Sequence, residues 1–124
     1  MKQQSPTQLF MVEPACFYTN TQTIDSNHYQ SEDSDQSKEE ILYSAKREFH
    51  NLKDEIEKND IEVLSCLGNE NCPDHIFPNW FTTFSDKTMQ IFSMKAKNRR
   101  TEKTPEMISL LKESYELTSD YSNY

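Results

Sequence analysis

The segment PDHIFPNWFTTFSDKTMQIFSM, residues 73–94, is where the chain concentrates its apolar and aromatic residues. Ile76, Phe77, Trp80, Phe81 and Phe84 fill its first half, and the polar Ser85-Asp86-Lys87 reads as a hairpin turn. The spacing predicts two strands, about Ile76 to Phe84 and Thr88 to Met94. Asp74 stands at the head of this hairpin, and the guanidinium pair Arg99 and Arg100 follows five residues beyond its end. The question raised by this placement is whether those charges serve the fold or a ligand.

Working upstream, IEVLSCL at 61–67 is rich in β-branched and aliphatic residues and predicts a strand, which Gly68 and Asn69 break. Before it, Ile41, Leu42, Ala45, Phe49, Leu52 and Ile56 recur at three- and four-residue steps, one face of a helix. Ser37, with Glu40 three residues on, forms a capping-box signature. LFMVEP at 9–14 reads as a short strand stopped by Pro14, although its continuous apolar run also fits a buried helix turn. Residues 15–37, including SEDSDQS, have the composition of a solvated or disordered loop. Downstream, Thr104 and Pro105 mark an N-cap and first helical position, and Met107, Ile108, Leu110, Leu111 and Tyr115 continue a helix ending near Thr118. The predicted order is β-α-β-β-β-α, a single α/β domain over 1–124 without internal repeats.

Composition narrows the function classes. The apolar fraction is 34% and the charged fraction 27%, so the core is thin. A net charge of −8 disfavours nucleic acid, whose phosphates require clustered Lys and Arg. No apolar run approaches the roughly 18 residues of a membrane span, and no secretory leader is legible. Gly68 is the only glycine, which excludes phosphate-cradling loops built on glycine spacing. Cys16, Cys66 and Cys72 lack metal-ligand spacing, and His28, His50 and His75 lie on separate segments, so no metal or other cofactor is expected. Unpaired cysteines point to a reducing, cytoplasmic compartment.

Asp74 after Pro73 fits a turn-forming residue. Its functional alternative is a carboxylate facing a cationic ligand, because a guanidinium fork matches two carboxylate oxygens. Arg99 and Arg100 are either a solvated pair or a clamp for a ligand carboxylate. The cysteines read as small buried hydrophobes, not nucleophiles.

FMVEPACFYTNTQTIDSNHYQ, PDHIFPNWFTTF and MKAKNRRTEKTPEMISLL, taken in order, resemble the N-terminal part of the amidinotransferase-like, guanidino-group-modifying superfamily. The citrulline-utilisation hydrolases are the nearest group, relatives of arginine deiminase and dimethylarginine dimethylaminohydrolase. The resemblance implies a partial pentein, about one blade and the start of the next of a five-bladed α/β-propeller. It implies a guanidino or ureido amino acid as ligand, bound by Asp74 at its guanidinium-like end and by Arg99 at its carboxylate. Asn79 falls at a polar or acidic position of the family motif. These enzymes attack the guanidino carbon with a Cys thiolate aided by a His. None of the three cysteines here matches that nucleophile's place, so the resemblance assigns no catalytic residue. Two departures stand out: FPNW carries one Asn before the Trp where relatives usually carry two, and Glu13 replaces an Arg.

Two functions are therefore expected to compete. One is the N-terminal, inactive share of a guanidino-modifying hydrolase, whose partner is the remainder of the propeller. The other is a non-catalytic binding or regulatory module derived from a blade. The first requires Asp74 and Arg99 to face a shared cleft.

Overall fold

The computed structural model describes residues 4–23 and 37–123. The loop expected over 15–37 is seen only at 15–23 and at Ser37, and its centre, 24–36, lies outside the described residues. Two strand–helix–strand units build the structure. Strands β1 (Gln8–Glu13) and β2 (Glu62–Leu67) pair in parallel from Gln8↔Glu62 to Glu13↔Leu67. Parallel pairing needs a long crossover, and helix α1 (Lys38–Glu57) lies on it. In a second sheet β3 (Phe81–Thr83) runs antiparallel to β4 (Thr88–Phe92), which runs parallel to β5 (Glu116–Tyr121). Helix α2 (Pro105–Lys112) lies on the crossover between β4 and β5.

The local signals account for most boundaries. Ser37 Oγ accepts from the Glu40 N–H at 3.2 Å and the Ser37 N–H donates to Glu40 Oε2 at 3.3 Å, closing the capping box. Thr104 caps α2 through the Met107 N–H, with Pro105 at its first position. In the hairpin, the Lys87 N–H donates to Phe84 O and the Phe84 N–H to Thr88 O. Lys87 adopts φ 67°, the left-handed conformation through which the turn rejoins the twisted ladder. Asp86 accepts from both the Thr88 N–H and hydroxyl, which lowers its carboxyl pKa.

Two sequence expectations are corrected. The strand predicted over 76–84 is confined to Phe81–Thr83, and the residues before it form successive turns. Pro73 and Pro78 remove ladder donors there, while His75 N–H bonds Cys72 O, Phe77 N–H bonds Asp74 O and Asn79 N–H bonds Phe77 O. Helix α2 ends at Lys112 rather than near Thr118, and β5 follows it. Tyr115 stands four residues after Leu111 and mimics a further helical turn. The strand hides because only Leu117 and Ser119 turn partly inward, leaving an edge with little apolar pattern. The element order is thus β-α-β-β-β-α-β.

Val12, Trp80, Met89, Ile91, Met107 and Leu111 form the buried core, drawing on both sheets and α2. Phe10 meets Phe81 edge-on at 5.4 Å between ring centroids, tying the sheets together. Trp80 precedes β3, so a length change in FPNW falls in turns and leaves the β3–β4 register intact. Helix α1 buries no residue fully. Its Ile41, Ala45 and Phe49 face an apolar groove of about 510 Å³ shared with Phe10 and Met11, and Leu52 stays 55% exposed.

Gly68 closes the end of β2, its N–H donating to Glu13 O at 2.8 Å. A Cβ there would lie 3.1 Å from Glu13 O and 3.2 Å from both His75 Nδ1 and Val12 Cγ1. All three neighbours are fixed by backbone bonding or burial, so the strain exceeds the ~0.4–1 kcal/mol that Gly→Ala gains through the unfolded chain. Gly68→Ala is expected to destabilise the protein by about 1 kcal/mol in denaturant titration. A gain in stability would show that the strand end relaxes freely.

Candidate functional site

Three loops meet where strands end. The segment 14–23 leaves the carboxyl end of β1, 68–80 that of β2, and 93–101 that of β4. In sheets with parallel strands this is the edge where ligand-binding groups gather, because the loops there are free of the ladder. Asp74 comes from the second loop, Asn20 and Thr23 from the first, and Asn98 and Arg99 from the third.

Asp74 is only 5% exposed. Its Oδ2 accepts from Asn20 Nδ2 at 2.8 Å and from the Thr23 hydroxyl at 3.1 Å. Asn20 and Asn98 bond reciprocally, Asn98 Nδ2 donating to Asn20 Oδ1 at 2.9 Å and Asn20 Nδ2 to Asn98 Oδ1 at 3.3 Å. These donors fix the carboxylate's direction.

Arg99 turns inward. Its Nε and Nη2 donate to the two oxygens of Glu102 at 2.9 and 3.2 Å, a bidentate pair. Nη2 also reaches Phe77 O and Asn79 Oδ1, both at 2.7 Å, and the Asp74 carbonyl at 3.4 Å. The guanidinium therefore clasps the 74–79 arch. Nη1 makes no hydrogen bond among the described residues. Glu102 is fully buried, and burial raises its carboxyl pKa while Arg99 pulls it down.

The structure thus gathers Asp74, Asn79 and Arg99, the three residues the sequence singles out, into one polar cluster. They meet through the Asp74 backbone and the Asn79 amide, not by an Asp74–Arg99 side-chain pair. Arg100 stands apart, donating to Met94 O and Lys95 O. Asn20, Thr23, Asn98 and Glu102 were not legible as site residues. Glu102 had one signal, its i,i+3 spacing from Arg99. Asn20 had none, since its partners lie 54 and 78 positions away. The 510 Å³ groove is lined chiefly by apolar side chains and includes none of the charged groups of this cluster.

The remaining chemistry is subdued. Asn69 N–H donates to His75 Nδ1 at 2.8 Å, which places the ring proton on Nε2, and burial lowers the His75 pKa. Burial raises the pKa of all three thiols. Thiolate formation is disfavoured at each, the opposite of an activated nucleophile. Among the described residues no group of three or more His, Cys, Asp or Glu could hold a metal, and no helix is long and apolar enough to cross a membrane.

A family model described as N,N dimethylarginine dimethylhydrolase, eukaryotic, matches residues 13–124. The chain belongs to that family. Neither curated proteins nor solved structures gave a match.

Proposed function

We propose that this chain carries the substrate-recognition share of a guanidino- or ureido-modifying hydrolase pocket. Asp74 receives the guanidinium-like end of a methylated arginine or citrulline-type amino acid, and Asn79 shapes the arch beside it. Arg99 offers the ligand carboxylate its Nη1 while its other nitrogens hold the arch. The two strand–helix–strand units are read as one blade and the start of the next of a five-bladed propeller. The nucleophile is supplied from outside these 124 residues. The carrying observation is Asp74 itself, a nearly buried carboxylate oriented by Asn20 and Thr23 at the carboxyl edge of the strands, in a chain of this family. The raised thiols support the absence of a nucleophile.

The test is a two-dimensional NMR titration of the chain with NG,NG-dimethylarginine and with citrulline, alongside an assay for released dimethylamine or ammonia. Saturable shifts at 72–80 and 97–102, without turnover, are expected. Asp74→Asn should weaken binding about tenfold or more, the scale of one charge-assisted hydrogen bond. A folded chain that gives no response at millimolar ligand would defeat the recognition role. Turnover that disappears on changing Cys16, Cys66 or Cys72 would place the nucleophile inside the chain.

A further inference from the structure

We infer that Asn20, supported by Asn98 and Thr23, is the positioning residue for the Asp74 carboxylate; this rests on the recognition role of Asp74 proposed above. Asn20 is 1% exposed and uses its whole hydrogen-bonding capacity. Its Nδ2 donates to Asp74 Oδ2 at 2.8 Å and to Asn98 Oδ1 at 3.3 Å. Its Oδ1 accepts from the Gln22 N–H at 3.0 Å and from Asn98 Nδ2 at 2.9 Å. An amide with two donors and two acceptors committed has one orientation, and so does the oxygen it grips.

The connectivity says what the amide does. Asp74 sits on the loop after β2, whereas Asn98 belongs to the loop after β4. Asn20, from the loop after β1, bonds to both side chains. The tie is doubled at Gln22, whose Oε1 accepts from the Asn98 N–H at 3.2 Å. Thr23 brings a second donor, its hydroxyl, to the same Asp74 oxygen at 3.1 Å, nearer than the Asn20 carbonyl that the same hydroxyl meets at 3.3 Å. Two donors from one short segment therefore converge on a single carboxylate oxygen. That fixes the torsion of the group, and with it the direction in which the carboxylate meets a planar guanidinium. A segment serving only to join loops would not need to aim two donors, the Asn20 amide and the Thr23 hydroxyl, at that oxygen.

The experiment is a double-mutant cycle on the full chain. Dissociation constants for NG,NG-dimethylarginine are measured by calorimetry for wild type, Asn20→Ala, Asp74→Asn and the double variant, with thermal melts run in parallel. Asn20→Ala is expected to weaken binding about tenfold in the wild-type background and to have little further effect once Asp74 is Asn. Equal losses in both backgrounds would show that Asn20 acts independently of Asp74, and would overturn the inference. Thr23→Val against Thr23→Ser gives a second reading should Asn20→Ala fail to fold: the hydroxyl-bearing Ser should retain affinity that Val loses. If Val binds as well as Ser, the positioning set is refuted. A folded wild type that does not bind removes the recognition role and this inference together. Binding that Asn20→Ala leaves unchanged removes this inference alone.

Discussion

Arg99→Met is expected to lose about 3–5 kcal/mol of stability at pH 8, because it strands the fully buried Glu102 carboxylate without its cation. Methionine retains much of the apolar stem, so the loss reports the guanidinium rather than a cavity. That guanidinium also satisfies Phe77 O and Asn79 Oδ1, which places the stability of the 74–79 arch on the same side chain. The double variant Arg99→Met/Glu102→Leu should recover much of the loss, since a buried ion pair replaced by apolar groups is often near neutral.

The pH dependence separates this account from simple packing. Glu102 has its pKa raised in the folded protein from an unfolded value near 4.5, through burial first and against the pull of Arg99. A raised pKa gives a contribution that is present below the unfolded value and is lost as pH rises through the folded one. Removing Arg99 moves the folded pKa higher still. The deficit of the variant should therefore be smaller at pH 5, where Glu102 can take a proton, than at pH 8. His75 works in the other direction: burial lowers its pKa below 6.5, so its contribution is lost as pH falls through that range. Arg99 is one cause of that lowering, so the variant loses less of this contribution as pH falls, which narrows its deficit toward pH 5 in the same sense. Denaturant titrations of the pair from pH 5 to pH 8 decide the matter, and a deficit that is flat or grows toward pH 5 contradicts it.

How far the sequence could be read depended on whether the signal was local. Ser37 with Glu40, and Thr104 with Pro105, act within one helical turn and were visible at once. The Ser85-Asp86-Lys87 turn was visible for the same reason, although a lysine takes the left-handed position that glycine would favour. Strand β5 was not visible, because an edge strand paired on one side can spend alternate positions on Thr118 and Asp120 without leaving a core pattern. The 76–84 segment misled in the opposite way. Its aromatic content suggests a strand, but Trp80 and its neighbours reach the core from turns that two prolines impose. In the polar cluster Asp74 stood out by its position before the hairpin. Asn20 could not, since an asparagine in a polar loop looks the same whether it is solvated or, as here, 1% exposed.

Trp80→Ala is the second large effect expected. Trp80 is 1% exposed and is the largest of the fully buried side chains. It contacts Phe81 at 4.7 Å between centroids and shares the core with Val12, Met89, Ile91, Met107 and Leu111. Truncation removes the transfer energy of the indole and leaves a cavity bounded by two sheets and a helix, which cannot close together. Such changes cost about 3–5 kcal/mol. For a chain of this size that corresponds to a melting temperature lower by about 10–20 °C. The carbonyl of Trp80 also accepts from the Phe92 N–H at 2.7 Å, extending the β3–β4 ladder by one bond, but the backbone survives the substitution. Trp80→Phe separates volume from polarity. The indole Nε1–H is buried and has no acceptor among the described residues. Removing it therefore relieves a desolvation penalty of about 1–3 kcal/mol and offsets part of the lost ring volume. The Phe variant should melt much closer to wild type than the Ala variant. If Trp80→Ala melts within about 3 °C of wild type, Trp80 does not bridge the two sheets, and the single shared core described here is wrong.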